Sequence, residues 1–209
     1  MAKLPDPPPL ADLTTHSPDL HQLSTTRVLW RIHNTTGAHV TAWNALRHYG
    51  PIASCRFDPH DPPPRQHPTI GVSYLADSVP TALAERFQQT RIINTRRGAP
   101  YLTAFTMTRP LQLLDLTHGW PLTAGAFHTI NTGPKHRTRA WARAFLAAWP
   151  DLDGLLSQST MTGSPCITLF APTTNALPVT PLFSEPLDHP GLAQPLAHAA
   201  QSIGYRTII

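Results

Sequence analysis

Proline limits this chain more than any other residue: 24 of them are spread through 209 positions, and each removes a backbone donor and fixes one dihedral. Long helices and wide unbroken strands do not fit between them, so the sequence predicts a loop-rich fold of short elements. The densest run, from Asp58 to His67, suits neither a helix nor a central strand and reads as a stiff loop, either one lip of a cleft or equally a surface excursion of no function.

Against that background the stretch from Gly71 to Glu85 stands out. Val72, Tyr74 and Ala76 alternate with Ser73 and Leu75, as in a mostly buried strand. Ser78 is placed to cap a following helix that has Pro80 in its first turn. Leu83 and Phe87 lie one turn apart and form the buried stripe, which turns Glu85 toward something other than the helix's own core. A solvated carboxylate is the ordinary reading of such a residue; a cleft wall is the sharper one.

Elsewhere the pattern gives mixed elements without regular βαβ alternation, and the class is α+β. Arg27–His33 alternates as a strand with Arg31 flanked by apolar residues, a costly position unless the guanidinium reaches water or an anion. Ala42–His48 is long enough for two helical turns, and Arg56 stands alone beside Phe57. Residues 99–116 read as one or two strands. Trp141, Phe145 and Trp149 recur every four residues, the mark of an amphipathic helix over 137–149 whose tryptophans belong to the core. Residues 151–170 read as strand, polar loop, strand, with Ser157 and Ser159 near the end of the first. The tail offers a helix near 191–202 and a final strand over 205–209. Residues 1–26, rich in Pro, Asp, Ser and Thr, are expected to form an arm packed loosely on a single domain over 27–209.

Composition removes several function classes. A formal charge of +4 is compatible with an anionic ligand or an acidic protein partner, but no recognition helix or aromatic platform accompanies it, so direct nucleic-acid binding is not expected. Cys55 and Cys166 form no metal or disulfide pattern, and the histidines, among them His60, His67, His118, His128 and His136, lack ligand spacing. No apolar run reaches the length of a membrane span and no apolar leader opens the chain; the expected location is the cytoplasm. No Gly-x-Gly-x-x-Gly opens a helix, which argues against a Rossmann-type dehydrogenase.

Taken in order, Arg31 in Leu-Trp-Arg-Ile, Arg56 after Gly50, Tyr74-Leu-Ala with Glu85 beyond it, and Asp153-Gly-Leu-Leu-Ser-Gln-Ser followed by Cys-Ile-Thr-Leu-Phe resemble the RES domain family, named for its Arg, Glu and Ser. Thr160 stands where the family commonly has a basic residue. The resemblance implies a fold similar to ADP-ribosyltransferases and a bacterial toxin, silenced by an antitoxin protein, that degrades NAD⁺ by phosphorolysis or hydrolysis of its nicotinamide–ribose bond. It carries over Arg31, Tyr74, Glu85 and Ser159 as catalytic residues and Arg56 as a substrate contact, Ser159 fitting better than Ser157. NAD⁺ would be the substrate, with inorganic phosphate a co-substrate in the phosphorolytic case alone, and no separate cofactor or metal would be needed. Two other classes remain: an ADP-ribosyltransferase with a protein acceptor, and an inactive binding module of the same fold.

Overall fold

The structure, a computed structural model, describes residues 3–208. In chain order the strands are β1 (Leu20–Leu23), β2 (Leu29–Asn34), β3 (Tyr49–Gly50), β4 (Arg65–Gln66), β5 (Val72–Ala76), β6 (Ile92–Asn94), β7 (Pro100–Phe105), β8 (Leu111–Asp115), β9 (Gly154–Gln158), β10 (Pro165–Phe170), β11 (Phe183–Pro186) and β12 (Arg206–Ile208). The helices are α1 (Leu10–Leu13), α2 (Val79–Arg86), α3 (Trp120–Thr123), α4 (Lys135–Ala148) and α5 (Ala193–Ser202). Eight strands make one sheet in the order β1-β8-β9-β10-β5-β2-β7-β11. Its pairs are antiparallel except β8 with β9. The α+β class is therefore what the chain forms.

Strand alternation divides the sheet into two faces. Register sets Leu75 opposite Ile167 and Leu29 opposite Phe105, and these four share one apolar cluster with Leu113 and Leu156. The other face carries Tyr74 paired with Thr168, Cys166 with Ala76 and Ser157, and Trp30 with Ala76. Two apolar clusters cover that face. Trp141 and Phe145 of α4 pack on Leu155 and Phe170, and Leu83 of α2 packs with Leu102 and Leu196 of α5. Of this face's residues, Tyr74, Thr168, Cys166 and Ser157 lie side by side and belong to neither cluster. A polar strip is thereby set into an otherwise apolar surface.

Two expectations are corrected. Residues 42–48 form no helix: a turn at 42–45 leads to Arg47, whose backbone pairs with Val72 in an isolated bridge. The reason is competition for carbonyls. Those of Trp43 and Ala45 accept from Arg31 Nη1 at 2.6 and 3.0 Å, so a side chain from another strand takes the acceptors that a helix would use. The amino-terminal segment is also no loose arm. Leu4 and Leu13 are wholly buried with α4, Trp141 Nε1 donates to Pro5 O at 2.9 Å, and β1 extends the main sheet. A proline-rich composition governs the backbone's shape, but three leucines at positions 4, 13 and 23 have enough apolar surface to hold the segment down.

Candidate functional site

The site grows from α2 and the turn after β9. Ser78 accepts from Thr81 N as the helix cap, and Leu83 buries the inner stripe, which leaves Glu85 half-buried on the flank facing β9 and β10. After Gln158 the chain reverses through residues 159–164. Ser159 N donates to Ser164 O at 2.8 Å and Gly163 takes φ +74°, a conformation suited to glycine. Ser159 Oγ sits at the centre of this turn, accepting from Met161 N at 3.1 Å and Thr162 N at 3.2 Å while donating to Glu85 Oε1 at 2.6 Å. A further contact, Thr81 Oγ1 to Thr162 Oγ1 at 3.1 Å, ties the turn to α2. Ser157 instead points its hydroxyl at Cys166 O, 3.3 Å away. Of the two serines, Ser159 meets the carboxylate.

Tyr74 projects from β5 with its hydroxyl buried beside the Cys55 thiol and without an oxygen or nitrogen partner among the described residues. Burial lifts this phenol well above its ordinary pKa, with nearby Cys55 and Asp58 adding and Arg47 opposing. The cation beside it is Arg47. Its Nη2 donates to Asp58 Oδ2 at 2.8 Å and its Nη1 to Tyr49 O. Asp58 and His60 are wholly buried. The imidazole Nδ1 lies 2.5 Å from Asp58 Oδ1 and Nε2 lies 3.1 Å from Ile70 O. Burial works to raise the Asp58 pKa, but hydrogen bonds from His60, Ile52 N and Arg47 outweigh it and hold the carboxyl at about 2.

The two sequence-predicted arginines lie differently. Arg56 Nη1 donates to Gly133 O at 2.6 Å, and the guanidinium is near enough to Glu85 for that charge to offset part of the lowering by burial. Arg31 alternates with Trp30 and so starts from the sheet face opposite Tyr74. Its guanidinium is held by the carbonyls of Trp43 and Ala45, and burial, with the charge of Arg47 adding, pushes its pKa down to about 10. Glu85, Ser159 and Arg56 thus form one group and Tyr74 with Arg47 another, while Arg31 braces the segment that carries Arg47.

Sequence reading missed Arg47, Asp58 and His60. The signal for Arg47 is hidden by a stretch that reads as helix, and Asp58 and His60 lie inside a run that reads as a cleft lip or a surface excursion. Phe57 through His60 are buried, and only residues 61–66 of that run are exposed. Among the described residues no three His, Cys, Asp or Glu side chains gather as metal ligands. No helix among them is long and apolar enough to cross a membrane. An open apolar groove of about 530 Å³ lined by Trp30, Phe183 and Leu196 shares no residue with the Glu85 group. A more polar hollow of about 500 Å³ adjoins the Ser159 turn through Met161, Thr162 and Ser164.

Comparison with known proteins places the chain in a family. No curated protein matches by sequence. Among solved structures, the chain is similar to one in the crystal structure of the M. tuberculosis MbcT-MbcA toxin-antitoxin complex, with a TM-score of 0.55, 19% identity, and coverage of 90% of this chain and 96% of that one. The RES domain family matches residues 28–189, which take in β2, α2 and the Ser159 turn, and the chain belongs to that family.

Proposed function

We propose that this chain cleaves the nicotinamide–ribose bond of NAD⁺ by phosphorolysis or hydrolysis, and that it is the toxin of a toxin–antitoxin pair acting in the cytoplasm. The observation that carries the reading is the 2.6 Å hydrogen bond between Ser159 Oγ and Glu85 Oε1. Membership of the RES family and the fold shared with a chain of a toxin–antitoxin complex support it.

Cleavage breaks the bond between ribose C1′ and the pyridinium nitrogen. The bonding pair leaves with nicotinamide, which departs neutral, and C1′ takes on oxocarbenium character. A carboxylate fixed beside that carbon stabilises the developing positive charge, and the more so if it is already oriented before substrate arrives. Ser159 supplies that orientation: with its own oxygen held by Met161 N and Thr162 N, its proton is directed at one carboxylate oxygen. The other oxygen is left to hold a ribose hydroxyl. Water or inorganic phosphate then bonds to C1′ through oxygen and releases a proton. Arg56 suits a pyrophosphate oxygen, and Tyr74 offers an aromatic face to nicotinamide or ribose.

The test is incubation of the purified chain with NAD⁺, with and without inorganic phosphate. Release of nicotinamide with ADP-ribose marks hydrolysis, and a phosphorylated ADP-ribose marks phosphorolysis. Labelled protein would mean transfer to an acceptor, and unchanged NAD⁺ a binding module. For the partner, co-expression with an antitoxin protein is expected to preserve cellular NAD⁺ and growth that the chain alone depletes.

A further inference from the structure

A buried carboxylate paired with a buried histidine is costly to fold unless further hydrogen bonds, here from a third group, offset the desolvation. Here the third group is Arg47. Its side chain keeps 17% exposure, while those of Asp58 and His60 have none. Asp58 is saturated: Oδ2 takes Arg47 Nη2 and Ile52 N, both at 2.8 Å, and Oδ1 takes His60 Nδ1 and N. His60 in turn is fixed at its far nitrogen by Ile70 O. Gly50 closes the back, since a β-carbon there would lie 2.4 Å from His60 Nδ1 and 3.0 Å from Arg47 Nη1. The guanidinium is thus held in one place by two elements that meet only in the fold.

What it is held against is the sheet. Arg47 N and O bond Val72 O and N at 2.9 and 3.0 Å, so the two residues are a directly paired bridge. Tyr74 lies on the same face as Val72, one alternation further along β5. The Tyr74 hydroxyl is buried beside the Cys55 thiol, a weak hydrogen-bond partner, and has no oxygen or nitrogen partner among the described residues, so a stronger acceptor would improve its bonding. An arginine whose fork is only partly used, next to a hydroxyl held by no oxygen or nitrogen acceptor, matches a tetrahedral oxyanion. Two of the five guanidinium donors are spent on Asp58 and Tyr49 O.

We propose that Arg47, clamped by the buried Asp58–His60 pair, and the Tyr74 hydroxyl together form a phosphoryl-binding subsite. The chemistry has two sources: a pyrophosphate oxygen of the dinucleotide, or free inorganic phosphate. Its relevance to catalysis rests on the NAD⁺-cleaving function above, whereas its binding of phosphate does not. Asp58 and His60 act as positioning residues and touch no substrate.

The experiment uses the full chain and two probes, ADP and inorganic phosphate, titrated by calorimetry, together with NAD⁺ cleavage at varied NAD⁺ and varied phosphate. Arg47→Gln is the first variant. Because it strips Asp58 of a partner, Arg47→Gln/Asp58→Asn is the second, replacing the buried ion pair by a neutral one. If the dinucleotide fills the subsite, ADP binding and KM for NAD⁺ both weaken by about tenfold or more, the scale of a charge-assisted hydrogen bond. If free phosphate fills it, phosphate binding and KM for phosphate weaken by that much while KM for NAD⁺ holds. Weakened probe binding in a chain that leaves NAD⁺ intact keeps the subsite and sinks the cleavage reading. Folded variants that bind both probes within about twofold of wild type overturn the subsite, whatever happens to NAD⁺. His60→Gln supplies the positioning readout: KM should rise with kcat largely kept, where a merely structural role would lower the folded fraction and leave KM alone.

Discussion

Ser159 Oγ donates to Glu85 Oε1 at 2.6 Å across 74 residues of sequence, joining the turn after β9 to the flank of α2. Glu85→Gln keeps the shape of the side chain and a hydrogen-bond partner for Ser159 but removes the charge. We expect NAD⁺ cleavage to fall by about 10²-fold or more, roughly 3 kcal/mol of transition-state stabilisation, with the thermal midpoint within a few degrees of wild type. Near wild-type turnover in a folded Gln variant would remove Glu85 from the mechanism.

Ser159→Ala tests orientation apart from charge. It leaves Glu85 ionised but unaimed and takes the acceptor from Met161 N and Thr162 N. The expected loss is about tenfold in kcat, smaller than for Glu85→Gln, with about 1 kcal/mol of stability lost from the turn. Steady-state kinetics and a urea titration on the same preparation separate the two effects.

Arg31→Met should act at a distance. Without the guanidinium, the carbonyls of Trp43 and Ala45 lose their donor and the segment leading to Arg47 loosens. The cost is about 2 kcal/mol, after allowing for the relief of a buried charge. Because Arg47 is displaced, cleavage should drop by more than the folded fraction does. Equal losses in both would make Arg31 purely structural.

Acid stability follows from two groups with opposite chemistry and the same sign. Burial, with Arg31 adding, pushes the His33 pKa from 6.5 down to about 4. The unfolded chain then takes up a proton below 6.5 that the folded chain refuses until about 4, so stability falls as pH drops through that window. Asp58, at about 2 against 3.8, contributes stability that is complete above 3.8 and is lost as pH falls toward 2. For this wholly buried carboxyl the amount is about 2 kcal/mol. Urea midpoints measured from pH 7 to 2 should decline in both windows, and His33→Phe should flatten the upper one. A flat profile between 6.5 and 4 in wild type would contradict the His33 assignment.

The amino-terminal segment can be tested by one core residue. Leu13 is wholly buried in the cluster with Trp141 and Phe145. Leu13→Ala is expected to cost about 2–5 kcal/mol, as for other large-to-small changes in a packed core. A loss below about 0.5 kcal/mol, the range of a surface change, would return the segment to a loose arm.

Local chemistry was legible in the sequence wherever neighbours in the chain are neighbours in space. Ser78 caps α2 because a hydroxyl reaches backbone donors two or three residues on, and the Trp141, Phe145 spacing makes one face of α4 apolar whatever lies against it. The alternation of β5, β9 and β10 follows in the same way, and so does the placing of Glu85 away from Leu83. Tertiary structure alone decided what those faces meet. Residues 42–48 have helical composition, but Arg31 from another strand captures the carbonyls that a helix needs, and the segment becomes a bridge to Val72. Asp58 and His60 sit in a proline run that composition assigns to the surface, yet Arg47, Ile52 N and Ile70 O supply the partners that let them be buried. A buried polar group needs its partner in place, and a partner brought in by the fold leaves no periodic trace in the chain. That is why Glu85 could be singled out by its spacing, while Arg47 became visible only when β5, Gly50 and Asp58 closed around it.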